Sequence, residues 1–316
     1  MSKLAVLFAG QGAQKTGMGK SLYENVPAAK EIFEQAEAVF PGITELCFSG
    51  SQEDLNQTVN TQPAVFTVDV AAYAALASAG FHPLAGAGFS LGEYAALCCA
   101  GMLSFGDALR LVMKRAEWMQ QAAERQSGAM AAVLGQEMKA VEELAAKFAG
   151  DGVLLPVNYN CPGQIVVAGD AQRIDQMAQY GKENKIKCRK LPVNGAFHTS
   201  HMDDAAHNIY HTVQDMEFLS PKFTLYANRT GKPYAKEINE MKKVMAQQTA
   251  SPVLFEQIIR GMIADGFDTF VEVGPGKTLT GFVQRIDKDV KTFYINDFES
   301  FGDSIDALGL IQFTEN

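Results

Sequence analysis

The chain has 316 residues, 47% of them hydrophobic and 20% charged, with a mean hydropathy of −0.05. Those proportions exclude a disordered chain, a collagen and a coiled coil, and the length suits one large domain or two. Against 36 Asp and Glu stand 27 Lys and Arg, and the net charge of −9 repels nucleic acid unless a local basic patch overrides it.

Residues 4–9 form an unbroken apolar run ending in glycines, the pattern of a strand buried on both faces of a parallel sheet. Helices are expected over 28–40 and, alanine-rich, over 64–79. Residues 84–89 read as a strand approaching Ser90, followed by a long alanine-rich helix that begins near Leu91. A further amphipathic helix spans 106–125. Strands alternating with helices indicate an α/β sheet. The middle of the chain changes pattern: a strand at 129–134, a helix at 138–148, and strands at 153–157 and 164–168 joined through the turn-rich NYNCPG. A helix at 173–184 and a strand at 185–193 complete it. The order β-α-β-β-α-β is that of a ferredoxin-like unit. It places a small inserted domain at 127–194, between the parts 1–126 and 195–316 of a larger domain. Strands near 223–227, 269–273 and 292–295 resume the first pattern.

Cys47, Cys98, Cys99, Cys161 and Cys188 include no CxxC pair, so neither a disulfide framework nor a zinc pattern is present, and a reducing cytosol is expected. No signal peptide is visible at the N-terminus. The longest apolar stretch, 94–103, falls short of the roughly 18–20 residues a membrane helix requires. A soluble, cytoplasmic protein with neither nucleic acid nor membrane as partner is the expectation. Gly19-Lys20-Ser21 and Gly276-Lys277-Thr278 end like phosphate loops, but Gln14 and Val271 stand where the motif requires glycine. Gly86-Ala87-Gly88 fails as a dinucleotide fingerprint because Leu91 follows in the third glycine's place. His207 and His211, with Asp203 and Asp204 one turn earlier, have metal-ligand spacing. Asn208 replaces the glutamate of a zincin motif, and a solvated helix face is the preferred reading.

Gly88-Phe89-Ser90-Leu91-Gly92 matches G-x-S-x-G between an apolar run and a helical one. A sharp strand-to-helix turn needs small flanking residues and pushes the serine hydroxyl out of the sheet. The helix that follows directs its amides at negative charge forming there. An ordinary helix-capping serine is the competing reading. A serine nucleophile needs a base, and His198 and His201, just past the inserted domain, are not separable by position alone. In α/β-hydrolases the order is Ser, then Asp or Glu, then a His late in the chain. Here 118 residues follow His198 and a domain intervenes before it, which disfavours a standard lipase or esterase.

These motifs resemble the malonyl-CoA:acyl-carrier-protein transacylases. The likeness runs through FAGQGAQ at 8–14, TQPA at 61–64, GFSLGEYAAL around Ser90 and SGAMAAVLG at 127–135. It continues through NYNCPGQIVVAG at 158–169, GAFHTSHM at 195–202 and VEVGPGKTLTGF at 271–282. The resemblance implies an α/β-hydrolase-like larger domain, a ferredoxin-like insert and a cleft between them. It implies Ser90 as acyl-accepting nucleophile, His198 as base and Gln248 as donor of the carbonyl that orients His198. The amides of Gln11 and Leu91 match the oxyanion hole, Arg115 the partner of malonate's free carboxylate, and Asn160 a substrate-binding position. The implied activity moves malonyl from malonyl-CoA to the phosphopantetheine thiol of acyl carrier protein, supplying fatty-acid synthesis, with no metal or redox cofactor.

The physical chemistry of Arg115 agrees, since a planar guanidinium grips a carboxylate by two parallel hydrogen bonds. On its helix Arg115 lies beside Val112 and Met119, at the edge of the apolar stripe, where a snorkelling surface arginine is the alternative. Phe89 departs from the family, which commonly has histidine before the nucleophile. Gly195-Ala196-Phe197-His198 resembles the malonyl-selective type, and a bulky Phe197 crowds a 2-methyl branch, a discrimination of about 1–3 kcal/mol. Lys185, Lys187 and Arg189 share one face of the expected strand, with Ile186 and Cys188 on the other. That basic face suits an acidic carrier, and a solvated face with gatekeeper charges is its alternative. The rival functions are a serine hydrolase or thioesterase, a silent carrier-docking protein, and the same chemistry serving a polyketide carrier.

Overall fold

The computed structural model describes residues 1–314. Its ten strands are β1 (Leu4–Phe8), β2 (Ala85–Gly88), β3 (Gly128–Leu134), β4 (Leu154–Cys161), β5 (Gln164–Asp170), β6 (Lys187–Lys190), β7 (Thr224–Ala227), β8 (Lys232–Pro233), β9 (Thr269–Val273) and β10 (Lys291–Ile295). They form a six-stranded sheet ordered β10-β9-β1-β2-β7-β8 and a four-stranded sheet ordered β4-β5-β3-β6. The larger sheet is parallel except where the two-residue β8 turns back on β7. All pairs of the smaller are antiparallel. The class is α/β, as the alternation of strands and helices implies.

The unbroken apolar sequence of β1 follows from its place third in the larger sheet. Leu4, Val6 and Phe8 pack on one face with Phe33, Phe66 and Leu97, whereas Ala5 and Leu7 pack on the other with Tyr226, Phe255 and Phe270. A strand with helices on both faces has no side to give to water, so the alternation of a half-exposed strand disappears.

The smaller sheet also has two covered faces, with different covers. Ala131, Val133, Ile165 and Val167 pack beneath the helices Met138–Ala149 and Ala171–Glu183. Met130, Ala132, Val157 and Val166 face Met119, Phe197 and Met202 of the larger body. Val253 ties the two together: its amide donates to Val157 O at 2.7 Å and its carbonyl accepts from Tyr159 N at 3.0 Å.

Three elements differ from the expectations above. The alanine-rich helix after Ser90 is not long. It spans Gly92–Cys99 and ends at a reversal where Gly101 takes a φ of 77°, a conformation that costs glycine nothing and other residues a strain. The turn in NYNCPG shrinks to Pro162 and Gly163, because β4 continues through Cys161 to pair with Gln164. The last strand of the small sheet begins only at Lys187. Lys185, with φ 58°, belongs to the preceding turn, which the Ile186 amide closes onto Gly181 O.

Candidate active site

β2 delivers the chain to Ser90 through Gly88, and the helix Gly92–Cys99 leaves at once. The two glycines are set by distance: a Cβ on Gly88 would lie 1.8 Å from the Gly92 carbonyl carbon, and one on Gly92 2.3 Å from Phe8 O. Ser90 itself sits at φ 51°, a left-handed conformation that costs a non-glycine residue about 1–3 kcal/mol and persists only when its surroundings hold it. Asn228, directly after β7, is one such holder. Its Oδ1 accepts the Ser90 amide at 2.7 Å and its Nδ2 donates to Gly88 O at 2.6 Å.

The Ser90 hydroxyl lies 2.9 Å from His198 Nε2. His198 is 3% exposed and also left-handed, at φ 66°, with its amide bound to Thr249 O at 2.9 Å. Its Nδ1 lies 3.0 Å from Gln248 O and 3.1 Å from Ser251 O. Carbonyls only accept, so Nδ1 carries the hydrogen and Nε2 is left with a lone pair for the Ser90 proton. Burial, and after it the charge of Arg115, pushes the imidazole pKa down to about 4, so it stands neutral at pH 7. His201 is elsewhere, paired with Asp170 at 3.0 Å, which separates two histidines that position alone did not.

Arg115 lies behind Ser90 rather than at the edge of its apolar stripe, with 0% of its surface exposed. Nη2 donates to Ser90 Oγ and to Gln248 Oε1, both at 3.1 Å, and Nη1 to Gln62 Oε1 at 2.6 Å. Its guanidinium carbon lies 5.0 Å from the centre of the Tyr94 ring. Among the described residues no carboxylate pairs with it, and its Nε has no partner. The surface reading of this residue is therefore excluded. The amides of Gln11 and Leu91 likewise have no hydrogen-bond partner among the described residues, and Gln11 is tied through its side chain to Gln62 at 3.2 Å.

Ser90 and His198 open onto a cavity of about 240 Å3 between the two sheets. Gln11, Phe89, Met119 and Phe282 line it from the larger body; Met130, Asn158, Asn160 and Val166 line it from the smaller. Phe197 of the larger body and Leu191, just after β6, also line it. Asn160 is 3% exposed with its Oδ1 unpartnered. Phe89 extends an aromatic wall, its ring centre 5.6 Å from that of Phe255 and 6.3 Å from that of Phe282. Lys187 and Arg189 lie outside, exposed on the edge strand β6, and Lys185 lies off that strand. His207 and His211 meet edge-on, ring centres 4.3 Å apart, on an exposed helix face, and neither lines this cavity.

Residues 6–296 match the family model described as an acyl transferase domain. The chain belongs to that family. It is 39% identical over 312 residues to the malonyl CoA-acyl carrier protein transacylase of Bacillus subtilis (strain 168), covering 98% of each chain. A malonyl CoA-acyl carrier protein transacylase from Clostridium perfringens superposes with a TM-score of 0.92 at 36% identity, covering 98% of both chains. A malonyl-transacylase solved with a type II PKS acyl-carrier protein gives a TM-score of 0.93 at 30% identity, covering 97% of this chain and 100% of that one. The fold of this acyltransferase is thus that of the malonyl CoA-acyl carrier protein transacylases.

Three residues that the sequence left without a role lie inside the network: Gln62, Glu93 and Asn228. Glu93 carried a signal, as a lone charge in the otherwise apolar EYAALCCA. A carboxylate in such a run is either misplaced or paired.

Proposed function

We propose that the protein transfers malonyl groups from malonyl-CoA to the phosphopantetheine thiol of acyl carrier protein, through a malonyl ester on Ser90, for fatty-acid synthesis in the cytoplasm. The observation that carries this reading is Arg115: a buried guanidinium without a carboxylate partner, 3.1 Å from the Ser90 hydroxyl. An uncompensated cation in the interior is costly, and an acyl group with a free carboxylate, bound to Ser90, supplies the missing charge. A simple acyl ester does not.

His198 Nε2 accepts the Ser90 proton as Oγ attacks the thioester carbonyl. The new Oγ–C bond forms, the oxyanion turns to the Gln11 and Leu91 amides, and the C–S bond breaks as His198 returns the proton to the coenzyme A sulfur. The carrier thiol reverses these steps. Gln248 and Ser251 carbonyls steady the imidazolium in place of an acidic third member. Asn160 and Phe197 bound the acyl group, and the inserted domain at 127–194 forms the second wall of its cleft. Arg115 holds the carboxylate throughout, which keeps the ester turned toward the thiol rather than water.

Intact-protein mass spectrometry after brief exposure to malonyl-CoA, then to a holo carrier protein, tests the proposal. A malonyl adduct mapping to Ser90 that moves to the carrier is expected, and none on Ser90→Ala. An adduct that decays to free malonate with carrier present would make the protein a hydrolase. No adduct at all would leave a silent docking protein.

A further inference from the structure

Glu93 has no part in the steps above, yet it is 1% exposed and lies among the groups that perform them. Three donors reach its carboxyl: Gln248 Nε2 at 2.8 Å, the Asn228 amide at 3.3 Å, and the Tyr234 hydroxyl. The first two belong to residues that hold the reacting groups. Gln248 provides the carbonyl on His198 and the Oε1 on Arg115, and Asn228 brackets Ser90.

We propose that Glu93 is a positioning residue: it fixes which way round the Gln248 carboxamide stands, and through it holds Arg115 in the geometry that selects an acyl group bearing a carboxylate. The inference rests on the malonyl-transfer reading and deepens it.

The two ends of a carboxamide are nearly the same size, so its orientation is decided by which neighbours accept and which donate. Gln248 Nε2 faces two close acceptors, Glu93 Oε2 at 2.8 Å and Ser90 O at 2.6 Å, and a longer one, Asn228 Oδ1 at 3.4 Å. Only then does Oε1 face Arg115 Nη2, at 3.1 Å. The carboxylate is the strongest of those acceptors, since a charge-assisted hydrogen bond is roughly twice as strong as a neutral one. Reversed, the amide would set N–H against guanidinium and displace it. Position matters as much as charge. A carboxylate in direct contact with Arg115 would occupy the place of the substrate's own, whereas one removed by a single carboxamide leaves the guanidinium to neutral oxygens that a substrate carboxylate outcompetes.

The charge of Glu93 is itself variable. Burial pushes its pKa up to about 7, against the opposing pull of Tyr234, Gln248, Asn228 and Arg115. Those four, with Tyr94 beside it on its own helix, are the polar and charged groups that face it. Protonated, the carboxyl loses its charge and accepts from Gln248 Nε2 only as a neutral oxygen, a bond roughly half as strong, so the carboxamide is held less firmly. Malonyl transfer therefore rises with pH through about 7. His198 does not produce that limb, because its imidazole titrates at about 4.

The test measures kcat/KM for malonyl-CoA and acetyl-CoA with a holo carrier protein between about pH 5 and 9, for the wild type, Glu93→Gln and Tyr234→Phe. In Glu93→Gln the malonyl value is expected to fall by about tenfold or more, the acetyl value far less, and the limb near neutral pH to vanish. Tyr234→Phe removes one donor to the carboxylate and moves the limb to higher pH. Equal losses for the two acyl groups in Glu93→Gln, or a limb that stays in place in Tyr234→Phe, overturn the proposal. Should Glu93→Gln fail to fold by circular dichroism, Tyr234→Phe decides alone. A wild type that forms no malonyl adduct would instead refute the malonyl-transfer reading itself.

Discussion

Arg115 concentrates the residue-scale question, because its burial and its lack of a carboxylate partner conflict unless something else completes the site. Its Nη groups are already engaged by three oxygens, on Gln62, Gln248 and Ser90, which fix the plane of the guanidinium before any substrate arrives. Lysine in that position keeps the charge but loses the plane and two of the five N–H donors. Arg115→Lys is therefore expected to lower kcat/KM for malonyl-CoA by about 100-fold, roughly 3 kcal/mol of charge-assisted bonding, and for acetyl-CoA by far less. Parallel assays of the two substrates check it, and equal losses would remove Arg115 from the acyl site. The residue types were legible here: a serine in a glycine turn, a histidine after the insert and an arginine on an apolar stripe all announce chemistry. What one dimension withheld was depth. Nothing in MKRAEWM distinguishes an arginine at the rim from one behind the nucleophile. That depends on the helix Phe105–Arg125 packing against the helix Thr58–Ser78, whose Gln62 accepts the guanidinium.

At the scale of elements, the turn around Ser90 is a close approach of backbone to backbone. The Gly92 Cα sits under the end of β1, so the sites for a Cβ at Gly88 and Gly92 are filled by main-chain atoms, which cannot rotate away. Gly92→Ala is expected to destabilise the fold by about 3 kcal/mol or more, read as a fall in melting temperature. Gly281, in the helix Thr278–Ile286, meets nothing within 4 Å. Gly281→Ala is expected to stabilise by about 0.5–1 kcal/mol. Matched thermal melts of the two variants check both signs, and an equal response would mean that space does not govern these glycines. The same contrast explains which elements the sequence showed clearly. The apolar run of β1 and the β-branched and aromatic residues of β9 read as buried strands, and both emerged with boundaries close to those observed. The helix after Ser90 ends early because Gly101 reverses the chain, and alanine periodicity alone does not register a left-handed residue. Two-residue β8 carries no periodicity to detect, yet it leads directly to Tyr234 and so to Glu93.

For the whole molecule, the charge of −9 opposes the approach of an acidic carrier, so docking requires a local field of the other sign. We propose the exposed edge strand β6 as its source. Lys187 and Arg189 project from it and form no ion pair among the described residues, whereas Lys190 is held by Asp175 at 2.6 Å. Leu191 and Val193, which follow directly, line the cavity that contains Ser90, so this charge lies along the chain path to the nucleophile. Lys185 contributes from the turn before the strand. Charges exposed at a rim act mainly on association, and their effect is screened by salt over about 10 Å at 0.1 M. Reversing both, Lys187→Glu with Arg189→Glu, is expected to raise the apparent KM for the carrier by about tenfold at low ionic strength. The deficit should shrink as salt is added, while the rate of Ser90 malonylation by malonyl-CoA stays unchanged. Steady-state kinetics in carrier concentration at two ionic strengths, with adduct formation followed separately, distinguish the cases. A carrier KM that does not move returns these residues to the role of gatekeepers on an exposed edge. A loss of malonylation as well would place them at the coenzyme A rather than the carrier.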